Sequence, residues 1–270
     1  MRSARLTADG PLARLPYAVQ AQGAPTTERW NVNGRGVLSE TQPGYAATFD
    51  GTGKLGRRDL HTVETATFRF GGPEQSARLR LAASGGGRID LDGRLSDAGA
   101  DVHGQVAGLG LGLLDEDLAG RVDATLALQG RGERLDGTFE AKLAGARGRG
   151  APVASGVDGV VRASLADRTL NLDMTASNAQ GLKASADLTL PTEASATPFR
   201  IAIARQQPMR GRFSAQGEVR PLWDLIIGGE RSLSGIVQAD GTVGGSLADP
   251  TASGHVAVSA GRFEDGATGL

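Results

Sequence analysis

Cysteine is absent from all 270 residues. Its absence excludes disulfides, thiolate nucleophiles and cysteine-ligated metals. It does not assign a compartment, because an oxidising space permits disulfides without requiring them. Aromatic residues are scarce at 4%, with two Trp and two Tyr, which leaves little from which to line a carbohydrate-processing cleft. Neither sign of charge is in excess: 29 basic residues stand against 30 acidic ones, whereas a nucleic-acid binder shows a basic stripe. No run approaches the ~20 apolar residues of a membrane-crossing helix. Met1-Arg2-Ser3 leads into Arg5, Asp9 and Arg14, not into the apolar core of a signal peptide. Apolar residues at the i, i+3, i+4 spacing of a helix are rare as well.

What is present is glycine and alternation. The chain holds 41 glycines, which suit thin, closely stacked strands and tight turns better than helices. Small or apolar residues recur at every second position in Leu15–Ala21, Trp30–Leu38, Tyr45–Gly53, Ala66–Phe70, Ala77–Leu81, Ile89–Leu95 and Val102–Val106. The pattern continues through Val122–Leu128, Leu135–Leu143, Val157–Leu165, Leu170–Met174, Leu182–Leu190, Phe199–Ile203 and Phe213–Val219. A period of two marks a strand with one dry face and one wet face. Two stretches break the rule, GLGLGLLDEDL (108–118) and PLWDLIIGG (221–229), and read as irregular corners or short helices. The total is about sixteen strands and at most two short helices.

The clearest stretch is LSGIVQADGTVGGSLADPTASGHVAVSAGRFED, Leu233 to Asp265. Leu233, Gly235, Val237, Ala239, Gly241 and Val243 share one side, and Gln238, Asp240 and Thr242 the other, with Ile236 the one apolar exception. Gly244-Gly245 and Asp249-Pro250 break the run, and alternation resumes at Gly254, Val256, Val258 and Ala260. The spelling L-x-G-x-V-x-A-x-G-x-V-x-G-x-L-x-D-P, then G and a G-R-F-E-D ending, resembles the C-terminal region of the TamB family, with the densest match from about Val219 to Asp265. That family comprises inner-membrane-anchored subunits of the bacterial translocation and assembly module, related to AsmA-like envelope proteins.

The resemblance implies an architecture, not a catalytic site. It implies an elongated, twisted, mainly antiparallel sheet curled into an open apolar groove. It implies phospholipid acyl chains or outer-membrane protein strands as cargo, the outer-membrane barrel subunit TamA as partner, and a periplasmic location in a parent protein anchored in the inner membrane. Neither an anchor nor a leader stands in this chain, so the resemblance further implies a fragment truncated at both ends.

An internal repeat supports an array. LAGRVDATLALQG (118–130) parallels LSGIVQADGTVGG (233–245), Gly120 matching Gly235, Val122 matching Val237 and Gly130 matching Gly245, and each copy follows one of the irregular corners. Such a long period favours an elongated array over a compact domain. The chain then divides into a first groove segment (1–117), a groove repeat (118–232) and the start of a further one (233–270), as one continuous body.

Motifs with chemistry are weak. His61, His103 and His255 are far apart and none has a second His or Cys at ligand spacing. Asp90-Leu91-Asp92-Gly93 hints at calcium, but Arg88 stands where the calcium repeat needs glycine and the motif does not recur. Gly108-Leu109-Gly110-Leu111-Gly112 lacks the later glycine of a dinucleotide loop, since Leu113 occupies it. Arg147-Gly148-Arg149-Gly150 and Arg57-Arg58 are short and lack interleaved aromatics, as solvated turns do. Neither a G-x-S-x-G elbow nor an H-E-x-x-H helix occurs. The expectation is therefore a non-enzymatic protein without cofactor, metal or nucleic acid. Its candidate lining for lipid is Phe139, Leu143, Leu188, Leu190, Phe213, Val237, Val243 and Val256, all on apolar registers. Two other readings stay open: a structural surface β-solenoid, such as an adhesin stalk with a self-filled core, and a β-rich carbohydrate-active enzyme.

Overall fold

A computed structural model of the chain describes residues 3–23, 29–55, 58–227 and 231–265. The alternating sequence becomes strand almost throughout, and the strand pairings within each unit are antiparallel. Two units are distinguished: residues 1–109, 126–133 and 195–199, and residues 110–125, 134–194 and 200–270.

The first unit carries β1 (Ser3–Ala8), β2 (Leu15–Gly23), β3 (Trp30–Glu40), β4 (Tyr45–Leu55), β5 (Arg58–Thr62), β6 (Ala66–Phe70), β7 (Glu74–Ala83), β8 (Arg88–Ser96) and β9 (Gly99–Gly110). Neighbours in sequence pair, with one variation. β5 and β6 lie end to end between β4 and β7, each pairing with a different half of both. Ala77, Leu79 and Leu81 face Gly93, Leu91 and Ile89 on one side of the sheet. On the other side Arg78 and Arg80 face Asp92 and Asp90, with ion pairs of 3.7 Å and 3.6 Å, and Arg94 meets Glu74 at 3.3 Å. Opposite charges across a rung contribute about 0.2–1 kcal/mol each, so the wet face specifies register as well as solubility.

The second unit carries most of β10 (Leu118–Arg131), β11 (Arg134–Gly148), β12 (Val157–Ala166), β13 (Thr169–Ser177), β14 (Lys183–Ala196) and β15 (Phe199–Ile203). It continues with β16 (Arg210–Glu218), the helix α1 (Arg220–Ile226), β17 (Arg231–Gly245) and β18 (Pro250–Asp265). Its ladder runs β11-β12-β13-β14-β16-β17-β18.

The expected class, a mainly antiparallel all-β sheet with at most one or two short helices, is what the chain adopts, with one α-helix among the described residues. Among the described residues, eighteen strands stand where about sixteen are read from the pattern. The additions are β1, whose residues are all exposed, and β5, whose single apolar residue Leu60 faces Gly53 and Ala83. Neither offers enough dry face to show in a hydropathy pattern. Of the two irregular corners, the first becomes a single 3-10 turn (Leu111–Leu113) and the second becomes α1; residues 228–229 lie outside the described residues, as does Arg57.

The internal repeat has a structural counterpart. Gly120 and Gly235 both take left-handed φ, +116° and +124°. Opposite Gly120 sit Gly145 and Ala146, and opposite Gly235 sit Ala260 and Gly261. Gly145 and Ala260 also take positive φ, +59° and +50°. Gly120 and Gly235 are separated by the same interval as Gly145 and Ala260, so one bulged hairpin occurs twice. A bulge adds a residue and re-phases the strand. For this reason β11 and β18 run beyond the simple alternation, and Ala146 and Phe263 return to the apolar side.

Glycine permits one especially close approach. A methyl at Gly36 would overlap the Thr48 carbonyl oxygen, where Val37 N donates to Thr48 Oγ1 at 3.0 Å in place of a regular rung. At Gly93 the nearest atom to such a methyl is Val102 Cγ2 at 3.9 Å. Gly36→Ala should therefore destabilise by about 1–3 kcal/mol through backbone displacement, and Gly93→Ala should stay within about 0.5 kcal/mol. Urea midpoints for the two variants check this, and equal midpoints would contradict it.

Candidate functional site: the apolar face of the second unit

Registers across the second unit bring the apolar positions into continuous rows. Phe139 faces Ala163, which faces Leu172, then Leu188, Gly211 and Val243. The next row is Ala141, Val161, Met174, Ala186, Phe213 and Gly241. A third begins at Leu143 and Gly159 and ends at Ala239 and Val256. None of these rows contains a polar side chain. Leu165, Leu170 and Leu190 extend the face toward one end of the strands, and Val157, Val237 and Val258 toward the other.

All eight candidate residues thus lie on one face of one unit. Leu190 and Val237 are buried, Phe139, Leu143, Leu188, Phe213 and Val243 are half-buried, and Val256, on the last strand, is 63% exposed. The large side chains lie over small partners. A methyl at Gly241 would meet the Phe213 ring at 2.8 Å and Ser253 O at 2.6 Å, and one at Gly211 would collide with Leu188. The ring and the branched chain therefore lie along the sheet, and the face has low relief.

The opposite face is polar along the same rungs. Glu140 accepts from Arg162 at 2.8 Å and pairs with Lys142 at 2.9 Å, while Arg212 stands 3.5 Å from Asp187. These neighbours hold the Glu140 carboxyl below its ordinary range, hydrogen bonds from Lys142 and Arg162 being the chief cause. Shallow depressions lie on this wet side, one lined by Thr138, Glu140, Arg162 and Asn171, another by Lys183, Ser214, Asp240 and His255. His61, His103 and His255 are exposed, and His103 Nε2 stands 2.8 Å from Asp101 Oδ1. Asp90 and Asp92 are engaged by Arg80 and Arg78. The Gly108–Gly112 run is the end of β9 and a corner with Leu109 and Leu111 buried, and Arg147–Gly150 ends β11 and turns. Among the described residues no cluster of three or more His, Asp or Glu could hold a metal ion, and no helix is long and apolar enough to cross a membrane.

Sequence reasoning did not anticipate the role of α1. This helix contacts both β11 and β17, and Asp224 lies against Gly148 at the end of β11. Four strands separate β11 from β17 in the ladder, which would put them ~24 Å apart if the sheet were flat. A helix of 7 residues spans only ~10 Å. With the reach of its contacts at either end, α1 bridges this end of the ladder. Beneath the helix's end of the face, Ala146, Val157, Leu182 and Val237 are 0%, 1%, 0% and 6% exposed. Pro221 is buried, Trp223 Nε1 donates to Arg231 O at 2.9 Å, and the Trp223 ring meets Phe263 edge-on at 6.1 Å. The signal in the sequence was slight: Pro221, Leu222, Trp223 and Leu225 are too few to show a helical stripe.

Comparison with family models, curated proteins and solved structures finds no match. The class of the chain therefore rests on its own geometry: an all-β sheet protein with a continuous apolar face.

Burial raises the Asp224 carboxyl above its ordinary range, an effect that Arg220 at 3.8 Å only partly opposes. The ionised form is thus penalised in the folded state, and the penalty disappears as pH falls through the raised value. Asp224→Asn should melt at a higher temperature than the parent at pH 7, and the gap should shrink on acidification. A gap that widened in acid would reverse the sign of this account.

Proposed function

We propose that the chain is a non-enzymatic component of bacterial envelope biogenesis resembling the TamB family, and that its apolar face accepts phospholipid acyl chains in transit between inner and outer membranes. Strands of outer-membrane proteins have the same alternating chemistry and are a second cargo for the same face. On this reading the parent protein is periplasmic, anchored in the inner membrane, and works with the barrel subunit TamA.

The observation that carries the proposal is the set of rows without a polar side chain, crossing six or seven strands. Within the unit the elements other than strand are α1 and short 3-10 turns, and α1 covers only one end. An apolar face left incompletely buried over this many strands supports an interaction surface. A self-filled solenoid, such as an adhesin stalk, favours full burial of the central rows, and Phe139, Leu188 and Phe213 are half-buried. The low relief produced by Leu188 over Gly211 and Phe213 over Gly241 suits a flexible hydrocarbon chain better than a shaped pocket would.

A photo-crosslinking residue at Phe213 should label phospholipid in the intact parent protein, and one at Gln216, on the wet side of β16, should not. Phe213→Asp should lower lipid transfer at least about tenfold, because an ionised carboxylate in an apolar path is costly, while Gln216→Asp should leave it unchanged. Equal labelling from the two faces, or normal transfer by a folded Phe213→Asp protein, would remove the proposal.

A further inference from the structure

We propose that α1 is a displaceable stopper: docked, it closes one end of the apolar face, and released, it opens that end to an acyl chain. The proposal rests on the acyl-chain reading of the face.

Three features lead to it. The first is where the cover lies. At the end of the face where α1 contacts β11 and β17, Val157 and Leu182 are 1% and 0% exposed, while the central rows of the same face are half-buried. The face is thus shut at the end where α1 spans from β11 to β17.

The second feature is the weakness of the helix itself. It has 7 residues and no side-chain hydrogen bond at its N-cap, Val219. Helices of that length do not persist alone in water, so α1 is held by docking and not by its own propensity. Its apolar surface is also divided. Pro221 is buried, whereas Ile226 is 78% and Ile227 56% exposed. An apolar ligand therefore finds partners on the helix as well as on the sheet beneath it.

The third feature is the polar cost of closure. The Asp224 carboxylate is drawn out of water against Gly148, and its ion pair to Arg220 is loose at 3.8 Å. Asn178 Nδ2, in the turn before Leu182, and Arg147 Nε, near the end of β11, are buried without a hydrogen-bond partner. Release of α1 returns Asp224 to water, which offsets part of the apolar burial that opening gives up. The closed and open positions are thereby brought closer in free energy than a fully satisfied cap would allow.

The geometry supplies its own lock. A Cβ at Gly148 would lie 3.7 Å from the Asp224 Cβ, close to the ~3.8 Å mean of disulfides. No native cysteine competes. In the Gly148→Cys/Asp224→Cys protein, α1 amides should exchange with deuterium at least ~10-fold faster when reduced than when oxidised. A diazirine analogue of leucine at position 182, isosteric with the native side chain, should label lipid from phosphatidylethanolamine–phosphatidylglycerol vesicles in the reduced form only. Exchange that is equally slow in both forms, or equal labelling at 182 in both, would overturn the stopper. Labelling at position 213 that is absent in both forms would overturn the acyl-chain reading instead, and the exchange result would still decide whether α1 opens.

Discussion

A large apolar side chain lying over a glycine on the next strand is the interaction on which this sheet depends. Phe213 over Gly241 and Leu188 over Gly211 show it in the second unit, and Phe49 of β4 lying against Gly34 of β3 shows it in the first. The arrangement buries hydrocarbon without a second layer, because each large group covers backbone that a Cβ would otherwise push away. It also explains how a chain with 41 glycines and few aromatics makes long strands. Glycine ordinarily weakens a strand. Here it is the receiving half of a cross-strand pair.

From that constraint the two faces follow. Alternation places the large–small pairs on one side and the charged rungs on the other. Many charged rungs are paired within the sheet, as in Glu140 with Arg162 and Arg78 with Asp92. The unusual chemistry lies on the dry side, where apolar rows run over many strands and α1 contacts β11 and β17 at one end.

Much of this was legible in the residues. Strands such as β8 and β11 carry strict alternation, and all eight candidate residues share a face because parity within a strand and antiparallel register together preserve it. What the pattern did not show has physical causes. β1 and β5 have almost no dry face to alternate. The ends of β11 and β18 lie beyond bulges at Gly145 and Ala260, where one extra residue inverts parity. The placement of α1 against β11 and β17 joins residues far apart in the chain, and α1 is too short to announce itself by periodicity. The internal repeat was legible, but its meaning was not: the matched Gly120 and Gly235 are the left-handed positions of one bulged hairpin used twice.

The central claim is that hydrocarbon sits against the dry face of β16. Tryptophan fluorescence tests it directly. With every native tryptophan of the parent protein, Trp30 and Trp223 among them, replaced by phenylalanine, a single tryptophan is placed at Phe213→Trp or at Gln216→Trp, and phospholipid with brominated acyl chains is added to that protein. The account predicts strong quenching at 213 and little at 216. Equal quenching at the two positions, or none at 213, would contradict it.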